Sequence, residues 1–189
     1  MAQMKALSLL QPYATLIMLG YKQYETRSWN TRHRGYLGIH ASLGKPEWAR
    51  DVCENNKYIQ EALQRHGLTF DTLPRGVLLG TCELVDTLAI VGCGSAAGLQ
   101  RVGSGEYQVP AFGLSEMEVA AGDYADKRFA WKLEQIAAVA QPVPCTGALS
   151  LWRIPEEAYH DVEAQLYVGP GPARENSYWE MPPAKKPRP

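Results

Sequence analysis

Residues 76–90 read GVLLGTCELVDTLAI, a β-rich apolar run bounded by Pro74 and Gly92, and they make a sheet the centre of the fold. This run is the strongest strand signal in the chain. Working outward, residues 35–41 (GYLGIHA) read as another strand and residues 4–10 as a short first one. Downstream, 129–139 and 148–154 read as closing strands, separated by the turn-rich 141–147. Helices are predicted over 13–19, 45–66 and 155–167. Pro12 and Pro46 stand near two helix starts, while Gly20 and Gly67 follow two helix ends. In the second helix Trp48, Val52, Ile59, Ala62 and Leu63 make an imperfect apolar stripe. Short strands, few helices and no regular βαβ alternation predict an α+β fold, a small mixed β-barrel with peripheral helices.

The 189 residues suffice for one domain with a substantial core. That domain is expected over 1–154, followed over 155–189 by a C-terminal helix and a Pro-rich tail. Residues 91–123 are rich in Gly, Ser and Ala with little periodicity before 114–120. They are expected to form a long loop excursion with a small helix. The stretch from Gly169, GPGPARENSYWEMPPAKKPRP, is expected to be extended and disordered, with Trp179 as a potential anchor. Cys53, Cys82, Cys93 and Cys145 have neither CxxC spacing nor close histidine partners. Reduced thiols in a cytoplasmic compartment are expected, and neither a metal nor a cofactor is. The apolar stretch 7–19 is too short for a membrane span and is broken by Gln11-Pro12. Gly92-Cys93-Gly94 imitates a dinucleotide fingerprint, but no sustained helix follows it.

Net charge is −1, yet residues 1–50 carry seven Lys and Arg against only Glu25 and Glu47. The cations concentrate in Gly20-Tyr-Lys22-Gln-Tyr-Glu25-Thr-Arg27-Ser-Trp29-Asn-Thr-Arg32-His33-Arg34. Guanidinium and ammonium groups suit phosphates, and aromatic faces suit bases. In an extended segment Glu25 and Arg27 point to one side, and the carboxylate can orient its cationic neighbours. Two plainer readings stand beside this one: a surface salt-bridge set of little energetic weight, and a Trp29 that simply covers the core. His40, between Ile39 and Ala41, reads as a hydrogen-bonded structural residue.

Several motifs now make a family recognisable. They are Ser8-Leu-x-Gln11-Pro12-Tyr13-Ala14, Gly20-x-Lys22-x-x-Glu25-x-Arg27-x-Trp29, Arg34-Gly35 and Ile39-His40-Ala41-Ser42, and later Gly122-Asp123-Tyr124 and Arg128-Phe129-Ala130-Trp131. Together they resemble the activating signal cointegrator homology (ASCH) domain. The resemblance implies a PUA-like barrel whose cleft holds RNA, single-stranded nucleic acid or a modified nucleoside. Lys22, Glu25 and Arg27 carry over as cleft residues, and Trp29, Arg34, Ser42 and Arg128 complete the candidate ligand-binding set. A minority of relatives are amidohydrolases of acylated nucleosides or are linked to RNA cleavage. The alternative is therefore a hydrolase in which Lys22 and Glu25 would be catalytic. Those amidohydrolases use a threonine where this chain has Glu25, and Thr26 would point the other way. The distant acid they need could be Glu83, Glu116 or Glu118. A protein-interaction module using the tail and the long loop is a third, weaker reading.

Overall fold

The computed structural model describes residues 4–166. The expected tail and its Trp179 lie outside the described residues. Strand β1 (Lys5–Leu9) leads into the short helix α1 (Tyr13–Met18). Buried Gln11 joins the two, its Oε1 accepting the Thr15 N–H and its Nε2 donating to the Pro74 carbonyl. Gly20, at φ +78°, takes the left-handed conformation that ends the helix. Residues Tyr24–Arg27 form β2 and Gly35–Ala41 form β3. Residues 24–27 of the cationic cluster are thus the extended segment in which Glu25 and Arg27 share a side. Four residues, two of them charged, are too few to show a strand pattern in the sequence.

The predicted long helix over 45–66 is two helices, α2 (Glu47–Asn55) and α3 (Lys57–Arg65). Asn56 breaks it in an extended conformation, and its side chain caps α3 by accepting the Tyr58 and Ile59 N–H groups. Strand β4 (Val77–Val91) follows, then β5 (Gly98–Arg101), β6 (Tyr107–Val109) and helix α4 (Glu116–Ala120). The chain closes with β7 (Phe129–Pro144), β8 (Leu151–Arg153) and α5 (Glu156–Leu166). The excursion over 91–123 is therefore not a structureless loop. Its β5–β6 hairpin pairs with β4, and Leu99, Ala97 and Tyr124 pack with Leu88, Ile90 and Ala130 of the sheet. Strands of four and three residues leave little periodicity to read.

The sheet runs β2-β7-β4-β3-β1-β8, with β1 and β3 parallel and the other pairs antiparallel. The fold is α+β, as expected, but the sheet is open: among the described residues no ladder joins β2 to β8. Nor are all strands short. β4 and β7 run 15 and 16 residues, and their shared ladder shifts register at three points, including Leu78/Gly80. Such bulges bend and twist long strands. At Gly80 (φ +153°) an added Cβ would lie 2.2 Å from the Ala137 carbonyl oxygen, so the bend needs glycine.

The main core lies on the inner face of the sheet, where Leu7, Leu37, Ile39, Leu79, Leu84 and Trp131 meet Ile17 of α1. Helices α2 and α3 bury Cys53, Ile59 and Leu63 against Leu16 and Phe70. Helix α5 lays Ala158 and Val162 on Val139, Val143 and Ile154. Among the described residues all four cysteines are free thiols, and burial pushes Cys53 up to about 11 and Cys82 up to about 12. No described helix is long and apolar enough to cross a membrane.

Candidate ligand cleft

Strand β2 places its side chains by register. Glu25 stands opposite Trp131 and Arg27 opposite Phe129, so both project to the inner face; Tyr24 and Thr26 project outward. On the inner face the Glu25 carboxylate sits between two cations. Its Oε1 lies 3.0 Å from Arg27 Nε, and its Oε2 lies 3.5 Å from Lys22 Nζ. Burial separates the three. Lys22 is 1% exposed and Glu25 7%, whereas a quarter of the Arg27 side chain is open. Lys22 Nζ also donates to the Tyr24 carbonyl at 2.6 Å. Its ammonium is thus committed to the protein, holding the turn into β2 and the back of Glu25. Arg27 is the cation of this set that a ligand can reach.

The guanidinium of Arg27 donates to the Ser8 carbonyl of β1 at 3.3 Å. This contact ties the edge strand β2 to β1, two strands that no ladder joins among the described residues. Ser42 follows β3 nearby, its N–H donating to the Leu9 carbonyl, while its enclosed hydroxyl finds no hydrogen-bond partner among the described residues. Trp29 packs its ring edge-to-face on Trp131, with centroids 4.6 Å apart, and lies against the main core. The plainer reading of that tryptophan, as a cover, describes its contacts well. Arg34 and Arg128 lie apart from the Glu25 set. Arg34 bonds Asp86 and Thr87 on β4, and Arg128 pairs with Asp123 at 3.3 Å and donates to its carbonyl. His40 is buried and bonded to the Ser8 hydroxyl and the Cys145 carbonyl, as a structural histidine should be.

Three further residues bear on this region: Glu118, Tyr13 and Trp48. Glu118 of α4 is 5% exposed, and its carboxylate accepts the Gln23 N–H at 2.7 Å, the Tyr24 N–H at 3.2 Å and the Tyr124 hydroxyl at 2.8 Å. It anchors the backbone between Lys22 and Glu25 from 95 residues away. Burial, then the neighbouring Glu118 carboxylate, pushes the Tyr124 phenol far up, so it remains a donor. Tyr13 is half-buried, and its phenol is raised by burial first and then by Cys53 and Glu25. Its ring stacks on Trp48 with centroids 6.5 Å apart. Trp48 is 51% exposed, so it is not part of the apolar stripe expected of that helix, which buries Ala49 and Cys53 instead. Tyr13 stands in the Ser8-to-Ala14 motif, whereas the candidate-acid reading of Glu118 and the stripe reading of Trp48 do not foretell these contacts.

The opposite face of β2 bears on the amidohydrolase comparison. Thr26 does point away from Glu25, and its hydroxyl accepts the Asp123 N–H at 2.9 Å. Of the candidate distant acids, Glu118 is occupied by its three donors, and Glu83 accepts from Gln135 at 2.7 Å.

Known proteins are similar to parts of this chain. The ASCH domain family model matches residues 7–107, over half of the chain. Over 84 residues the chain is 39% identical to proteins named activating signal cointegrator 1 from Homo sapiens and from Mus musculus. Those stretches cover 44% of this chain but only 14% of either relative's length. Two crystal structures of an ASCH protein from Zymomonas mobilis are also similar. The unmodified protein is 15% identical, with TM-score 0.47, covering 86% of this chain and 94% of its own. A tyrosine-to-phenylalanine variant of it is 16% identical, with TM-score 0.46, covering 86% and 98%.

Proposed function

The chain belongs to the ASCH domain family, and from that premise we propose that it binds single-stranded nucleic acid, RNA foremost, or a modified nucleoside beside Glu25. The observation that carries this reading is the graded burial of the ionic set. Lys22 and Glu25 form a fixed base, and Arg27 continues from it to the surface. A preorganised guanidinium with free N–H groups suits a phosphate or a base carbonyl. Glu25 has lone pairs left to accept from an exocyclic amine. The exposed Trp48 on Tyr13 offers an aromatic face for stacking. In this reading the bond from Arg27 to the Ser8 carbonyl holds β2 to β1 across the open sheet. A domain running over residues 1–154 is part of this reading, supported by the place of β7 and β8 in the same sheet.

The hydrolase alternative draws no comparable support. Lys22 is engaged with Tyr24 and Glu25, and Thr26 is on the other face. The test is fluorescence anisotropy with a labelled single-stranded oligoribonucleotide and, separately, competition by a nucleoside panel. Arg27→Gln is expected to weaken binding roughly tenfold or more, the loss of one charge-assisted hydrogen bond. The reading fails if the native chain binds none of these probes at low salt, or if Arg27→Gln binds as well as the native chain.

A further inference from the structure

A second cationic feature lies outside the Glu25 set. The loop joining β2 to β3 and the β5–β6 hairpin enclose a groove of about 410 Å³ on the rim of β4. Its lining includes Asn30, Arg32, Arg34, Asp86, Thr87 and Arg101. We propose that this groove is a phosphate subsite that grips the backbone of a single-stranded nucleic acid next to the Glu25 cleft.

The arrangement divides the labour among the three arginines. Arg34 is locked in place: it donates to the Thr31 carbonyl at 3.0 Å, the His33 carbonyl at 2.8 Å, Asp86 Oδ1 at 3.2 Å and Thr87 Oγ1 at 3.0 Å. Its pairing with Asp86 neutralises the one carboxylate in the lining. Arg32 is exposed and makes no ion pair among the described residues. Arg101, across the groove, has only a 3.6 Å pair with Glu106, and both side chains are more than half exposed. An exposed pair of that kind yields to a better anion at little cost. With Asp86 set against Arg34 and Glu106 against Arg101, one positive charge remains in excess, carried by three arginines crowded into one concave site. Their mutual repulsion lowers stability unless an anion relieves it.

Position ties the groove to the cleft. Thr87, which receives Arg34, is in register with Trp131, and Trp131 is in register with Glu25. The two sites are thus two strand spacings apart, about 10 Å across the sheet. A short oligonucleotide spans that distance, with a base beside Glu25 and a neighbouring phosphate between Arg32 and Arg101. The excursion over 91–123 gains a purpose here, since its hairpin supplies Arg101.

This inference rests on the reading of the cleft as a nucleic-acid site, and its test separates the two. The double variant Arg32→Gln/Arg101→Gln alters exposed side chains only. It is expected to bind a fluorescein-labelled oligouridylate roughly tenfold more weakly. The slope of log affinity against log salt should fall by about 0.7 for each phosphate that the variant leaves unneutralised. Uridine, which has no phosphate, should compete equally well against both proteins. In a parallel titration followed by NMR, uridine 5′-monophosphate should move the Thr87 amide and the Arg32 and Arg101 Nε–H signals, and uridine should not. An unchanged affinity and salt slope in the double variant, with Arg27→Gln still weak, overturns the subsite and leaves the cleft standing. If the native chain binds no oligonucleotide but the monophosphate shifts appear, the cleft reading falls and the phosphate site stands. Absence of those shifts overturns the subsite in either case.

Discussion

Replacing Glu118 by alanine removes the acceptor of three hydrogen bonds: from the Gln23 and Tyr24 amides and from the Tyr124 hydroxyl. Each hydrogen bond to a charged group contributes about 1.5–3 kcal/mol, and each stranded buried donor costs about 1–3 kcal/mol. Against this, the variant no longer desolvates a carboxylate, which offsets several kcal/mol of the gross loss. The net expectation is a destabilisation of about 3–5 kcal/mol, a large part of the roughly 5–15 kcal/mol typical of a domain. Equilibrium urea unfolding followed by fluorescence of the five tryptophans reads it, with the m-value unchanged if two-state behaviour holds. Glu118→Gln keeps one acceptor oxygen and should lose about half as much. Tyr124→Phe should cost about 1 kcal/mol alone and close to nothing on top of Glu118→Ala, because the two share one bond. The amide signals of Gln23 and Tyr24 should move in both Glu118 variants. A Glu118→Ala protein within about 0.5 kcal/mol of the native one, with those amides unmoved, refutes the claim that α4 anchors the cleft.

Lys22→Met should destabilise by about 3 kcal/mol in urea titrations, since it strands Glu25 on one side of a buried pair, whereas Arg27→Gln should cost about 1 kcal/mol. Reversal of both trends would mean that Lys22 is the open cation. Gly80→Ala should lower stability by more than about 3 kcal/mol in the same assay, given a clash with backbone that cannot turn aside. Burial lowers His40 below its ordinary 6.5, with the Cys145 carbonyl opposing in part. The unfolded chain therefore takes up this proton first as pH falls, so stability is full above 6.5 and declines below it. Unfolding measured between about pH 7.5 and 5 should show that decline, and it should be shallower in His40→Gln. An identical slope in that variant would assign the decline elsewhere, His66 being the other histidine lowered by burial.

Much of the strand order's raw material was legible locally. Residues 35–41 and the run over 76–90 carry their β signal in their own composition, and β3 and β4 lie there to within a residue. Asn56, by contrast, is one polar residue inside an otherwise helical pattern. Only its capping of Tyr58 and Ile59 reveals that it breaks the chain into two helices. Pro142 and Pro144 read as a turn, yet β7 continues through both, as edge and bulge positions allow.

The charges available to the site follow from local order: Lys22, Glu25 and Arg27 lie within six residues, and a short extended segment brings them together. What each can do depends on the packing around them. Register with β7 turned Glu25 inward and Thr26 outward, and burial under Tyr24 withdrew Lys22 from solvent while leaving Arg27 open. Packing likewise moved Arg34 to a separate groove with Arg101 and brought Glu118 beneath β2. The physical reason is that charge is a property of a residue, whereas exposure and partnership depend on contacts between segments distant in the chain, which no local pattern encodes.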